Sequence, residues 1–306
     1  MPKFAYFEGQ FVPYTDARVS IAAHAFNYGT GVFEGIRAYW NEQQEQLYVV
    51  RLREHYQRML QSVKVLRMQL SLDADQMSAL TVELLRREGY REDVYIRPLA
   101  YKANEVIGVR LHNLKDEFAI FAVPFGKYIE QQEGARVCFS SWRRNDDNAI
   151  PPRGKVTGAY VNSALIKSEA MLNGFDEAIV LNADGHVSEG SAENFFIVRG
   201  GKLITPPVTA NILEGITRQA IIELARIELG IETVERQIDR SEVYMADEAF
   251  FCGTGVEVTP IGSVDHIPLG NGGVGPITRQ ISALYFKIVR GNEPKYLNWL
   301  TPVYPK

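Results

Sequence analysis

Tight polar turns between short apolar runs constrain this chain more than any other feature. Glu8-Gly9 separates FAYF from QFVP, Ala183-Asp184-Gly185 separates DEAIVL from HVSEG, and Gly200-Gly201 separates FFIVR from KLITPP. Each reads as a β-hairpin, as do GIRAYW and LYVVRL around the polar NEQQEQ. Between the hairpins stand helical segments. REHYQRMLQSVKVLR has apolar spacing at Met59, Leu60, Val63 and Leu66, and DADQMSALTVELLRREG follows and stops at Gly89. DVYIRPLAYK, EFAIFAVPF and RVCFSSW read as strands, GAYVNSALIKSEAMLNG as a helix stopped by Asn173-Gly174, and ILEGITRQAIIELARIELG as an amphipathic helix beginning just after Gly215. Sequential hairpins beside helices imply antiparallel or mixed sheets, hence an α+β fold rather than a doubly wound parallel one.

The length, 306 residues with 46% hydrophobic, suits two domains. The polar GKYIEQQEGA divides them: an N-terminal α+β domain at 1–125, a linker at 126–135 and a larger C-terminal domain at 136–306. Charge is nearly balanced, 33 Lys+Arg against 37 Asp+Glu, so neither nucleic acid nor an anionic membrane is indicated and a small molecule is the expected partner. The two cysteines, Cys138 and Cys252, have neither disulfide nor zinc spacing, and no signal or membrane-spanning run stands out, so a cytoplasmic protein is expected. The five histidines are scattered without metal-ligand spacing, so no metal is expected.

Lys155 raises a chemical question. It stands in PPRGKVTGAYVNSALIKSEA at a loop-to-helix junction, with the Tyr160 phenol a turn away, a setting that suits an amine nucleophile. In EGITRQAI, Gly215 lets the backbone approach a ligand while the Ile216 and Thr217 N–H groups open a helix whose dipole favours phosphate. Gly253 and Gly255 around Thr254 form either an anion-binding nest or a plain turn. Glu189 and Glu193 lie in HVSEGSAENFF between apolar runs; a buried glutamate there needs a partner, and a protonated pyridine nitrogen is one. Arg58 is either a surface arginine or a phosphate ligand, and Tyr95 and Arg97 share one face of a strand, where Arg97 suits a carboxylate. GNGGVG at 270–275 matches the dinucleotide-binding pattern, which would make the chain a nucleotide-binding oxidoreductase; Pro276 and the short remaining chain favour a glycine-rich turn before a final helix.

HAFNYGTGVFEGIRAY, REHYQRM, VYIRPL, KVTGAYVNSALIKSEA, the SEG-x-x-EN-x-F run from Ser188 to Phe196, EGITR and GTGVEVTP follow one another in this order. In that respect the chain resembles the branched-chain amino acid aminotransferases, pyridoxal-phosphate (PLP) enzymes of fold type IV, over nearly its whole length. The resemblance implies a two-domain fold like that of D-amino acid aminotransferase. It implies that Lys155 binds the cofactor aldehyde, that Glu189 pairs with the pyridine nitrogen and that Tyr160 bonds the ring oxygen. Arg58, the Ile216 and Thr217 amides, the Thr217 hydroxyl and Thr254 would hold the phosphate. Tyr95 and the Gly255-Val256 backbone would take the substrate α-carboxylate, Phe33, Tyr28, Tyr128 and Val109 its side chain, and Arg97 the distal carboxylate of glutamate. In the family the counterparts of Tyr28 and Val109 come from a neighbouring subunit, which implies at least a homodimer, with a higher homo-oligomer left open. The implied reaction moves the amino group of leucine, isoleucine or valine to 2-oxoglutarate. Relatives acting on (R)-primary amines or D-amino acids, and aminodeoxychorismate lyases, share much of the apparatus. Val156-Thr157-Gly158-Ala159, Phe125 and Arg110 depart from the commonest branched-chain pattern.

Overall fold

The computed structural model describes residues 1–126 and 134–305. Local chemistry sets most elements where the sequence places them. Phe4–Phe7 (β1) and Gln10–Pro13 (β2) pair antiparallel around Glu8-Gly9, with Phe7 opposite Gln10. His24–Tyr28 (α1) precedes Gly31–Phe33 (β3), and Ile36–Asn41 (β4) pairs with Gln46–Val50 (β5). Two helices follow, Leu52–Val65 (α2) and Ala74–Glu88 (α3). Asp73 accepts the Gln76 N–H at 2.8 Å while Gln76 accepts the Asp73 N–H at 2.9 Å, a reciprocal cap that starts α3; Gly89 stops it. Val94–Lys102 (β6) and Asp116–Pro124 (β7) form a nine-residue antiparallel ladder.

The chain divides into two compact units. The first contains Met1–Gly126, Gly154–Gly158 and Lys287–Lys306. Its sheet runs from the C-terminal strand Leu300–Pro302 through β5, β4, β6, β7 and β1 to β2, with β3 also on β6, and every pairing is antiparallel. Ile36, Leu47, Met59, Met77, Leu84 and Ile96 are fully buried in this unit.

The second unit spans the described part of Lys127–Arg153 together with Ala159–Phe286. Its strands are Ala135–Arg143 (β8), Glu177–Leu181 (β9), Val187–Gly190 (β10), Asn194–Arg199 (β11), Lys202–Thr205 (β12), Thr233–Glu235 (β13), Glu248–Gly253 (β14) and Glu257–Val264 (β15), ordered β10-β9-β8-β15-β14-β11-β12-β13. Ile267–Pro268 adds to β15. The expected hairpins are β9/β10 and β11/β12. β8 lies parallel to both β9 and β15, and β12 parallel to β13, so this sheet is mixed. Tyr160–Leu172 (α4) covers β8 and β9, and Ile216–Glu228 (α5) lies against β14. Phe195, Ile197, Phe251, Ile179 and Val187 form the centre of its core. The fold is α+β, as expected, and GNGGVG is a turn leading into the helix Pro276–Val289.

Two segments expected in the second domain group with the first unit instead. Residues 287–306 return because Leu300 pairs with Val50, the Arg51 N–H donates to Trp299 O at 2.7 Å, and the Arg51 guanidinium lies 3.6 Å from the Trp299 ring centroid. Arg290 adds a fork onto Asp93, with its Nη2 2.7 Å from Oδ2. Gly154–Gly158 is drawn in by an antiparallel bridge from Val156 to Val32. Both are long-range strand contacts that adjacent turn signals do not encode. Residues 127–133, most of the expected linker and including Tyr128, lie outside the described residues.

Gly291 tests this closure. Its φ is +72°, and a Cβ there would stand 2.5 Å from Tyr48 Cε2. Gly291→Ala combines left-handed strain with overpacking, and is expected to cost on the order of 2–4 kcal/mol, read as a lower urea midpoint.

Candidate active site

In the first unit, the backbone of Lys155 is held from two sides. Its N–H donates to Ser62 Oγ at 3.2 Å, and its carbonyl accepts the Phe33 N–H at 3.1 Å. The Lys155 ammonium stands 5.1 Å from the Phe33 ring centroid, and the Arg97 guanidinium 4.5 Å from the same ring. Arg97 Nη2 donates to the Tyr95 hydroxyl at 3.0 Å, while Arg97 Nε is buried without a hydrogen-bond partner among the described residues. Strand periodicity explains the pair: Val94 and Ile96 face the core, leaving Tyr95 and Arg97 on the other side of β6. The structure thus brings together Lys155, Phe33, Tyr95 and Arg97, four of the residues named from the resemblance.

Arg58, on α2, does not point to solvent. Its Nε and Nη2 donate to Glu34 Oε1 and Oε2 at 2.8 and 2.7 Å, and His55 Nδ1 reaches Oε2 at 2.8 Å. Glu34 is 0% exposed; Arg58 and His55 hold its carboxyl far below the usual carboxylate range even though burial opposes this. Tyr28 and Val109 form a separate, outward-facing group: the Tyr28 hydroxyl accepts the Gly108 N–H at 3.0 Å, and Val109 is 77% exposed.

In the second unit Glu189 is 2% exposed and ion-paired with Arg144 Nη2. Asn194 Nδ2 donates to it at 2.9 Å, and the Leu213 N–H approaches at 3.3 Å. Arg144 sits in the RRNDDN loop that follows β8, and Asn194 begins β11, so the acid is gripped by elements far apart in sequence. At Gly215 the space a Cβ would take is filled by Asn194 Oδ1, so the missing side chain admits the residue that holds Glu189. The start of α5 has no side-chain cap, leaving the N–H groups of its first turn as a natural anion seat, with Thr217 6% exposed beside them. Thr254 and Gly255 form the turn between β14 and β15, and Val256 is buried, its carbonyl accepting the Thr259 hydroxyl at 2.6 Å. Tyr160 is the first residue of α4.

Sequence reasoning missed Glu34, His55, Ser62, Arg144 and Asn194. An available signal for Glu34 was a lone acid inside the apolar run GVFEGI, with H-x-x-R following on a helix.

Residues 31–264 match the family described as Amino-transferase class IV. A probable branched-chain-amino-acid aminotransferase of Aquifex aeolicus is 52% identical over 303 residues, 99% of this chain and 97% of that protein. The chain belongs to the class IV aminotransferases. Among solved structures, the branched-chain aminotransferase of Thermoproteus uzoniensis with norvaline matches with a TM-score of 0.94 at 48% identity, covering 98% of this chain and 99% of that one. The branched-chain amino acid aminotransferase of Thermobaculum terrenum in its PLP form matches at 0.95 and 42% identity, covering 99% of each chain.

Glu193, 5% exposed and close to Glu189 in the chain, supplies a pH test. Burial first, then the carboxylates of Glu177 and Glu189, push it from 4.5 up to about 8. A folded-state value above the unfolded one means its contribution is complete below about pH 4.5 and is lost as pH rises through about 8. Glu193→Gln is neutral throughout. Between pH 5 and pH 9 wild type should lose on the order of 2–4 kcal/mol relative to this variant in urea unfolding.

Proposed function

We propose that this protein is a PLP-dependent aminotransferase that transfers the amino group of branched-chain L-amino acids to 2-oxoglutarate by a ping-pong mechanism. One observation carries the reading: a primary amine and an arginine both stand over the ring of Phe33, and the arginine, whose buried Nε–H has no hydrogen-bond partner among the described residues, donates to a tyrosine hydroxyl. Such a group suits a substrate bearing both an amine and carboxylates. The names of the similar proteins, branched-chain aminotransferases with norvaline or in a PLP form, support the same substrate class and cofactor.

The residues fit the cofactor's chemistry. An amine on Lys155 suits its aldehyde, the uncapped start of α5 with Thr217 suits its phosphate, and the buried carboxylate of Glu189 suits a protonated pyridine nitrogen. Arg58 and Thr254 would complete the phosphate donors, and Tyr160 would meet the ring oxygen. When bound, PLP withdraws electrons from the substrate Cα, so that its proton becomes removable. Lys155 Nζ, as a neutral amine, would take that proton and later give it back. Glu189, fixed by Arg144 and Asn194, would keep a proton on the pyridine nitrogen. Tyr95 and the Gly255-Val256 backbone hold the α-carboxylate, Phe33 lines the side-chain pocket, and Arg97 takes the distal carboxylate of the second substrate.

Tyr28 and Val109 contribute to the side-chain pocket of a neighbouring copy in a homodimer. The exposed Ile21, Phe26, Ile107 and Val109 support this, as apolar surface that a partner would cover. A cytoplasmic location accords with Cys138 and Cys252 being free thiols.

Two experiments test the reading. The purified holoenzyme should show a visible band that bleaches when L-leucine is added without an oxo acid; a band indifferent to L-leucine but bleached by (R)-1-phenylethylamine would assign the chain to another substrate class. Arg97→Met should raise KM for 2-oxoglutarate about 10- to 100-fold, the worth of a charge-assisted hydrogen bond, and leave the L-leucine half-reaction within about 3-fold. Equal losses in both half-reactions would remove Arg97 from distal-carboxylate binding.

A further inference from the structure

Glu34 occupies a position no step of the reaction requires. It is 0% exposed, lies between β3 and β4, and its backbone N–H donates to Pro98 O on β6 at 3.0 Å. The sheet thus fixes where the carboxylate stands. Its two oxygens meet the Nε/Nη2 edge of Arg58 at 2.8 and 2.7 Å, a fork-on-fork pairing that leaves the guanidinium one orientation. His55 and Ser62 share the inner face of α2 with Arg58, at i−3 and i+4. His55 Nδ1 bonds Glu34 Oε2, and the Ser62 hydroxyl donates to the Arg58 carbonyl at 3.0 Å while accepting the Lys155 N–H. Burial, with the positive charges of Arg58 and Lys155, holds His55 below the ordinary histidine range, so the ring stays neutral and donates through Nδ1 to the carboxylate.

We propose that Glu34 is a positioning residue that fixes the Arg58 guanidinium for the cofactor phosphate before the cofactor binds. This rests on the reading of Arg58 as a phosphate ligand. Arginine has many rotamers, and a phosphate that had to select one would bind less tightly by that lost freedom. Glu34 bears the ordering in the empty protein. Its negative charge also opposes a phosphate, but it sits on the Nε/Nη2 edge and is neutralised there by two short bonds, so the gain in order outweighs the repulsion. A glutamine at 34 presents an NH2 to a guanidinium or an imidazole that also donates, and Arg58 then turns to other acceptors.

The test separates phosphate recognition from general integrity. Apoprotein, made by converting the cofactor with L-leucine and dialysing against phosphate, is titrated with PLP and with pyridoxal, which lacks the phosphate. For Glu34→Gln the preference for PLP over pyridoxal should fall about 10-fold or more, the scale of one displaced charge-assisted bond, with pyridoxal affinity within about 3-fold of wild type. An unchanged preference, an equal loss for both ligands, or tighter PLP binding would each overturn the proposal; the last would make the carboxylate a competitor of the phosphate. If Glu34→Gln does not fold, Glu34→Asp is titrated instead. Aspartate keeps the charge but cannot reach both nitrogens, and the same selective loss is expected, with an unchanged preference again overturning the proposal. Wild-type apoprotein that does not prefer PLP to pyridoxal would overturn the phosphate role of Arg58 itself.

Discussion

A charge leaves water only where an opposite charge and directed hydrogen bonds replace its hydration. This constraint recurs wherever the structure places chemistry. Glu34, Lys102, Glu177, Glu189 and Arg218 are each at most 4% exposed, and each has its counter-ion: Arg58, Asp116, Lys167, Arg144 and Glu235. Glu193 has no cation bonded to it among the described residues, and it meets the constraint the other way, by holding its proton. Removing one member of such a pair strands the other in a site closed to water.

The pairs also link elements that turn chemistry does not join. Glu34, from the short connection between β3 and β4, holds α2 through Arg58 and His55; Ser62, one turn further along α2, then receives the backbone of Lys155. In the second unit Arg144 and Asn194 bring the loop after β8 and the start of β11 onto Glu189, and Asn194 fills the space beside Gly215 where α5 begins. One amide side chain thus sets both the grip on the buried acid and the start of α5. In each unit a short relay of buried polar contacts transfers the rigidity of a sheet to Lys155 or Glu189.

Much of the local architecture was legible. Glu8-Gly9, Gly200-Gly201, Gly89 and Asn173-Gly174 mark turns and stops through backbone chemistry that neighbouring residues carry by themselves. Tyr95 and Arg97 were legible as a pair because a strand places alternate residues on one face. The parallel pairings of β8 with β9 and β15, and the return of Leu300–Pro302 to β5, depend on surfaces made by distant segments, so no local signal encodes them. Supporting residues escaped for a related reason. Asn194 and Ser62 are ordinary polar side chains in the sequence, and only burial beside a particular partner gives them a task. Arg58 was legible as an arginine that phosphate chemistry could use, but not as one already claimed by a carboxylate.

The return of the C-terminal strand bears on how the protein is made. β5 is complete early in translation, yet its neighbour Leu300–Pro302 leaves the ribosome only after the whole second unit has been synthesised. Throughout that interval the nascent chain carries β5 with one open hydrogen-bonding edge, the kind of surface that recruits stray strands. Gly154–Gly158, with Lys155 in it, likewise emerges after the strands that receive it. The first unit therefore begins to form first and is finished last, and a chain cut short near its end would have Lys155 seated and its sheet still unsealed.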